Sequence, residues 1–278
     1  MKYHIGDNFI EVEGREEFDP RHILECGQIF RFYVNNNGNY VVLSKDKKAE
    51  IVETEIGFMI YTDCPDYFVK FFNLETNYTE IKNELRKNEF LDNVISKGEG
   101  IRIIKNDLFE TVCSFIISAN NNIKRIKLIL SRLCERVGNS LDGTDFAFPS
   151  PEQFLTLDEE FFKSIGAGYR AKYLAELGQN FLDFQKIDVS GLSTEELRKQ
   201  LVKIKGVGPK VADCIMLFAF NRYDVFPVDV WSERIYIEHF NGTKKDRKKI
   251  AEDLVLRFGN LAGFAQQYLY YYKAIEKF

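Results

Sequence analysis

The sequence predicts an α+β protein in which an antiparallel β-sheet segment comes first and an all-helical segment follows. Up to about residue 64, short alternating apolar runs are divided by turn signals, and no stretch is long enough for a crossover helix. Strands so connected pair antiparallel. From about residue 101 onward the alternation stops, and only helical periods remain, separated by Gly, Pro and Asn. Near the C-terminal third, a helix, a glycine turn and a second helix follow in close order. The expected division is 1–100 for the sheet with its bridging helices and 101–278 for the helical part.

The strand candidates are 9–12, 29–34, 40–43, 51–54 and 58–61, with Asn35-Asn36-Asn37-Gly38 as the clearest hairpin turn. Polar helices over 66–73 and 78–96 bridge to the helical part. The run 107–119 is apolar on several faces and predicts the core of that part. A short helix is expected over 193–203, with Ser193 and Glu196 at capping-box spacing. Gly206 and Gly208 follow in a tight turn, where glycine accepts positive φ and lets another backbone approach. Pro209 then suits the first position of the next helix.

A chain of 278 residues with 45% hydrophobic and 29% charged residues suits a soluble globular protein of one or two domains. It has no run of about 18 apolar residues, as a membrane span would need. Cys26, Cys64, Cys113, Cys134 and Cys214 are scattered and odd in number, which suits reduced thiols in the cytoplasm rather than a metal cluster. Net charge is −4, but Lys124, Arg125, Lys127 and Arg132 cluster, as do Lys203, Lys205 and Lys210. Local patches, not the average, decide binding to nucleic acid. The run Lys244, Lys245, Arg247, Lys248 and Lys249 reads as a solvated helix start.

The glycine turn and the helix after it direct free N–H groups outward, with no acid between Val202 and Lys210. That makes an anion site, most simply for a phosphate. Lys210 opens the second helix, where the dipole and the neighbouring Lys203 and Lys205 should lower its pKa and free a nucleophilic amine. Cys214 lies one turn along the same face. Asp229, in an extended Pro-Val-Asp-Val segment before another helix, suits an N-cap with a fixed carboxylate. The same residues also suit a solvated helix lysine and a plain capping aspartate.

Gly-Val-Gly-Pro-Lys-Val-Ala-Asp-Cys at 206–214, followed by Pro-Val-Asp-Val at 227–230, resembles the helix-hairpin-helix (HhH-GPD) glycosylase superfamily. Within it the chain resembles the bifunctional 8-oxoguanine DNA glycosylase/AP lyases. Four further segments agree in order: Cys26-Gly27-Gln28-Ile29-Phe30-Arg31, Asn120-Asn121-Asn122-Ile123-Lys124-Arg125, Gly168-Tyr169-Arg170, and Gln266 with Tyr270.

The resemblance implies a TBP-like N-terminal sheet and an all-α catalytic part. It implies Lys210 as nucleophile and Asp229 as its carboxylate partner. Gly27, Gln266, Tyr270, Cys214 and Pro227 would surround the flipped base, with the Gly27 carbonyl accepting the N7 hydrogen that guanine lacks. Asn120, Arg125 and Arg170 would face the opposite strand, and Tyr169 would wedge into the duplex. Gly206, Gly208, Lys210 and Trp231 would hold phosphates, and the carbonyls of Val202, Ile204 and Val207 a monovalent cation. Two positions depart from the family's usual residues: Tyr270 stands where Phe is common, and Trp231 where many relatives have His.

The expected function is excision of 8-oxoguanine from duplex DNA by a cofactor-free monomer, followed by β-elimination. Two rivals predict differently. A monofunctional glycosylase for alkylated bases would form no covalent adduct. A non-catalytic DNA-binding hairpin module would be indifferent to Lys210.

Overall fold

The computed structural model describes residues 1–275. Its first part is a six-stranded sheet of Lys2–Ile5 (β1), Phe9–Glu13 (β2), Phe32–Val34 (β3), Tyr40–Ser44 (β4), Lys47–Glu53 (β5) and Gly57–Tyr61 (β6). The order is β1-β2-β6-β5-β4-β3, antiparallel throughout. Residues that alternate along these strands, Ile10, Val12, Val42, Ile51 and Ile60, bury one face against Phe68, Phe71 and Phe72. Those aromatics belong to or follow helix Pro65–Phe71.

The sheet differs from expectation at three places. β1 was not expected: its four residues form an edge strand with most side chains exposed, so no buried face marks it. Helix Pro20–Leu24 interrupts the stretch read as β, set by Asp19, whose carboxylate accepts from the N–H groups of Arg21 at 2.8 Å and His22 at 3.2 Å. The expected strand over 29–34 shrinks to Phe32–Val34. Residues ahead of it leave the sheet because their polar side chains turn inward. Gln28 Nε2 donates to the carbonyls of Ile23 and Arg102, both at 2.8 Å, and its Oε1 accepts from Ile104 N–H at 3.0 Å.

The bridging stretch 78–96 is two helices, Tyr78–Leu85 and Glu89–Ser96, divided where Asn88 caps the second by accepting from Leu91 N–H at 3.1 Å. Tyr78, Leu91, Val94 and Ile95 pack into the helical core and not under the sheet, so the two parts interlock across residue 100. Helix Leu108–Ser118 runs through that core, buried on nearly every side as its sequence predicts. Among the described residues no helix is long and apolar enough to cross a membrane.

A buried ion pair fastens the parts together. Arg31 Nη1 meets Glu110 Oε2 at 2.9 Å, both side chains almost wholly out of solvent. The same oxygen accepts from Lys45 N–H at 2.7 Å, and Arg31 Nη2 donates to the Phe146 carbonyl at 2.5 Å. Removing one partner of such a pair strands a charge in the interior, which costs about 3–5 kcal/mol. Glu110→Ala should therefore lower the unfolding free energy by about that amount in urea titration. A loss under about 1 kcal/mol would show that the two parts hold together without the pair.

Candidate active site

The hairpin forms for the local reasons its residues suggest. Ser193 and Glu196 make both bonds of a capping box at the start of helix Thr194–Leu201. The chain then turns, with Val207 N–H donating to the Ile204 carbonyl at 3.0 Å. Gly206 has φ +90°, and a Cβ there would come within 3.0 Å of the Tyr173 ring. Gly208 has an ordinary φ of −89° and serves as N-cap of helix Pro209–Ala219. A side chain at Gly208 would meet only open space, so its smallness bares the turn and not its conformation. Among the described residues, the N–H groups of Gly206, Gly208, Lys210 and Val211 find no acceptor. Four free donors at a helix start attract an anion.

Lys210 opens into a cleft of about 1320 Å³ whose walls also carry Gly27, Cys214, Pro227, Asp229 and Gln266. Tyr270, Trp231 and Asn120 border the same space. Two parts of the chain far apart in sequence therefore face one cavity. Pro227 is buried, and Trp231 is half-buried beneath Arg234 and Lys273, 4.8 and 5.7 Å from its ring.

Lys210 differs from expectation in charge. Lys203 Nζ donates to Gln200 Oε1 at 2.7 Å, and Lys205 pairs with Glu176. Both ammonium groups are thus engaged elsewhere, although they are neighbours in sequence. Desolvation of its head in the cleft pulls the Lys210 ammonium down, but the Cys214 sulfur and the Asp229 carboxylate oppose this and hold it above the usual lysine value. Burial in turn raises the Cys214 thiol, despite the nearby Lys210. The resting centre is an ammonium beside a neutral thiol and a carboxylate, with the Phe115 ring 5.7 Å from Nζ.

Asp229 is the N-cap the sequence predicts. Its Oδ1 accepts from the backbone N–H of Trp231 at 3.0 Å and of Ser232 at 2.8 Å, and from Ser232 Oγ at 3.0 Å. All three bonds fall on one oxygen, so Oδ2 is left for the cleft. Ser232 escaped the sequence reading; a hydroxyl three residues after a capping aspartate was the signal for it.

The wall formed by Gly27, Gln266 and Tyr270 is equally defined. Gly27 has φ +76°, and a Cβ there would lie 2.8 Å from the Tyr270 ring. Tyr270 is pushed up to about 12 by burial, with Asp229 adding to it, so its hydroxyl stays protonated. Gln266 is buried, and its Oε1 has no partner among the described residues. A buried amide oxygen without a donor waits for one from a ligand.

Arg125, Tyr169 and Arg170 do not line the cleft; they gather beside it around Asn120. Tyr169 is 56% exposed at its loop tip, with Oη donating to the Ala119 carbonyl at 3.1 Å. Arg125 is exposed and donates to the Gly166 carbonyl at 3.1 Å. Arg170 differs from the expected open reader. It is buried, and its guanidinium donates to the carbonyls of Ala119, Asn120 and Ala167, the last two at 2.9 and 3.3 Å. In this state it shapes the loop that carries Asn120, which itself adopts φ +50°.

With this geometry in view, comparison with known proteins is specific. Residues 12–112 match the 8-oxoguanine DNA glycosylase N-terminal domain, and residues 113–258 the HhH-GPD superfamily of base excision DNA repair proteins. A probable N-glycosylase/DNA lyase of Methanothermobacter thermautotrophicus is 32% identical over 72% of this chain and 70% of its own. The N-glycosylase/DNA lyase of Saccharomyces cerevisiae is 28% identical over 97% and 86%. The 8-oxoguanine glycosylase/lyase of Clostridium acetobutylicum was solved on double-stranded DNA with cytosine opposite 8-oxoguanine. It superimposes with a TM-score of 0.91 at 34% identity, covering 100% of this chain and 99% of that one. The chain belongs to the 8-oxoguanine DNA glycosylase family of the HhH-GPD superfamily.

Proposed function

We propose that this protein is a bifunctional DNA glycosylase that removes 8-oxoguanine from duplex DNA and then nicks the strand. The observation that carries the reading is a lysine open to a cleft beside a capped carboxylate, facing a wall with an unpaired buried amide. The free amides of the hairpin bind a backbone phosphate, and Tyr169 fills the space the lesion vacates. The flipped base lies between Cys214 and Tyr270, with Gln266 on its Watson–Crick edge and the Gly27 carbonyl accepting its N7 hydrogen. Asn120 and Arg125 meet the base left behind. Arg170 supports them from below or joins them after its loop opens.

Lys210 loses a proton, and the amine attacks C1′ as the bond from C1′ to the base N9 breaks. The departing base takes up a proton. Asp229 Oδ2 offsets the positive charge that develops on the sugar, and its position is held by the three donors on Oδ1. Opening of the sugar ring gives a Schiff base between Nζ and C1′. That cation acidifies the C2′ hydrogen, and loss of this proton expels the 3′ phosphate. No step requires a metal or a redox group. The carbonyls of Val202 and Val207 accept no hydrogen bond among the described residues, and Ile204 accepts one. Neutral oxygens of this kind fit a monovalent cation, which would brace the hairpin against phosphate. The place of work is the compartment that holds the DNA.

Borohydride reduction during reaction with duplex DNA carrying 8-oxoguanine opposite cytosine tests the assignment. Wild type should give a covalent protein–DNA band, and Lys210→Gln none. Base release without a trapped band would instead mean a monofunctional enzyme.

A second outcome follows from the charge on Lys210. Its folded pKa lies above the ordinary lysine value, so the amine is the minor form at neutral pH. Single-turnover excision should rise about tenfold per unit between about pH 6 and 8 as that fraction grows. A flat profile would show that bound DNA has already displaced the proton.

Gly27→Ala should disable base release, since the new Cβ meets the Tyr270 ring in a backbone conformation that costs a non-glycine residue about 1–3 kcal/mol. Release at the wild-type rate would exclude Gly27 from the pocket wall.

A further inference from the structure

The C-terminal helix Ala262–Ile275 makes three contacts with the base wall, and the proposed reaction uses only two of them. Gln266 presents its unpaired oxygen, and Tyr270 covers Gly27. The third is Gln267, 1% exposed, whose Nε2 donates to the Cys26 carbonyl at 2.9 Å. It joins this helix to the 26–28 loop across 241 residues of sequence.

The place of this bond matters because of the residue that follows. The Cys26 carbonyl belongs to the peptide that leads into Gly27, and Gly27 has φ +76°. Glycine occupies positive and negative φ with nearly equal ease, so a free Cys26–Gly27 peptide would turn over at little cost. On the other side, the Gln28 side chain is anchored by Ile23, Arg102 and Ile104. The Cys26 thiol is itself tied, donating to the Ile23 carbonyl at 3.1 Å. Gln267 thus supplies the anchor that a glycine cannot supply for itself. Between the two fixed peptides, the Gly27 carbonyl accepts no hydrogen bond from any described residue. A carbonyl held in place yet unsatisfied is an acceptor set for an incoming donor.

We propose that Gln267 is a positioning residue for telling 8-oxoguanine from guanine. Its amide orients the Cys26–Gly27 peptide, and through it the Gly27 acceptor. The proposal rests on the reading of the cleft as an 8-oxoguanine site. It predicts an effect confined to steps that involve a base. Nicking of DNA that already lacks the base uses Lys210 and Asp229 but makes no demand on Gly27.

The test compares wild type, Gln267→Met and Gln267→Glu on two duplexes, one with 8-oxoguanine opposite cytosine and one with an abasic site at the same position. Methionine keeps the volume without a donor, and glutamate keeps the shape while offering only acceptors. Both variants should release 8-oxoguanine about 10–100-fold more slowly, as a misplaced contact group does. Their preference for binding 8-oxoguanine over guanine in competition should shrink in step. Nicking of the abasic duplex should stay within about twofold of wild type, which also reports that the variants fold. Release by Gln267→Met at the wild-type rate would overturn the proposal, and so would parallel losses on both duplexes. A wild type that nicks abasic DNA but never releases 8-oxoguanine would overturn the functional reading, and this proposal with it.

Discussion

The buried contact between Arg31 and Glu110 is the constraint on which the rest of the molecule depends. Two charges leave water, and they can do so only because each finds further partners. Lys45 N–H serves the carboxylate, and the Phe146 carbonyl serves the guanidinium. Burial pushes the Glu110 carboxyl up, and the adjacent guanidinium works against that. The geometry must therefore be kept closed or the interior holds an uncompensated charge. Arg31 follows the loop that bears Gly27. Glu110 lies on the helix that passes Phe115 beneath Lys210 and ends just before Asn120. One pair thus sets the Gly27 loop, Lys210 and the Asn120 loop in a common frame.

A second buried cation performs a similar duty without a carboxylate at its centre. Arg102 is fully buried and gives its guanidinium to main-chain carbonyls of Phe72, Glu17, Asn73 and Thr76, at 3.2, 3.1, 2.6 and 2.8 Å. Its own carbonyl receives Gln28. The path from the turn after helix Pro65–Phe71 to the Gly27 loop is therefore a chain of side-chain hydrogen bonds to main-chain carbonyls rather than apolar contact alone. Such bonds fix orientation as well as distance, which apolar contact alone does not.

What could be read in the sequence divides along physical lines. The hairpin, the capping box at Ser193 and the Asp229 cap were legible because each is decided within a few residues. The antiparallel sheet was legible from alternation, but its exposed edge β1 and the Asp19-capped turn of helix carried no such pattern. Nine of the residues that line the cleft were legible through resemblance, whereas their surroundings were not. Lys203 and Lys205 adjoin Lys210 in sequence yet point to Gln200 and Glu176. Arg170 looked like an open reader and folds inward, because two carbonyls of the Asn120 loop and that of Ala167 in its own turn take its donors. Gln267 gave no local sign at all, since its partner lies at the opposite end of the chain.

That last separation bears on how the protein is made. Lys210 and Asp229 leave the ribosome before helix Ala262–Ile275, and so do the hairpin and its free amides. The cleft wall at Gly27 needs that final helix, which supplies Tyr270 and Gln267 against it. Assembly of the cleft therefore waits for the end of the chain. The same helix buries Phe264, Ala265, Tyr268 and Leu269 in the core that also holds Val211, Cys214 and Ile215, so a chain that stopped short of it would lose the support of the Lys210 helix together with the Gly27 wall.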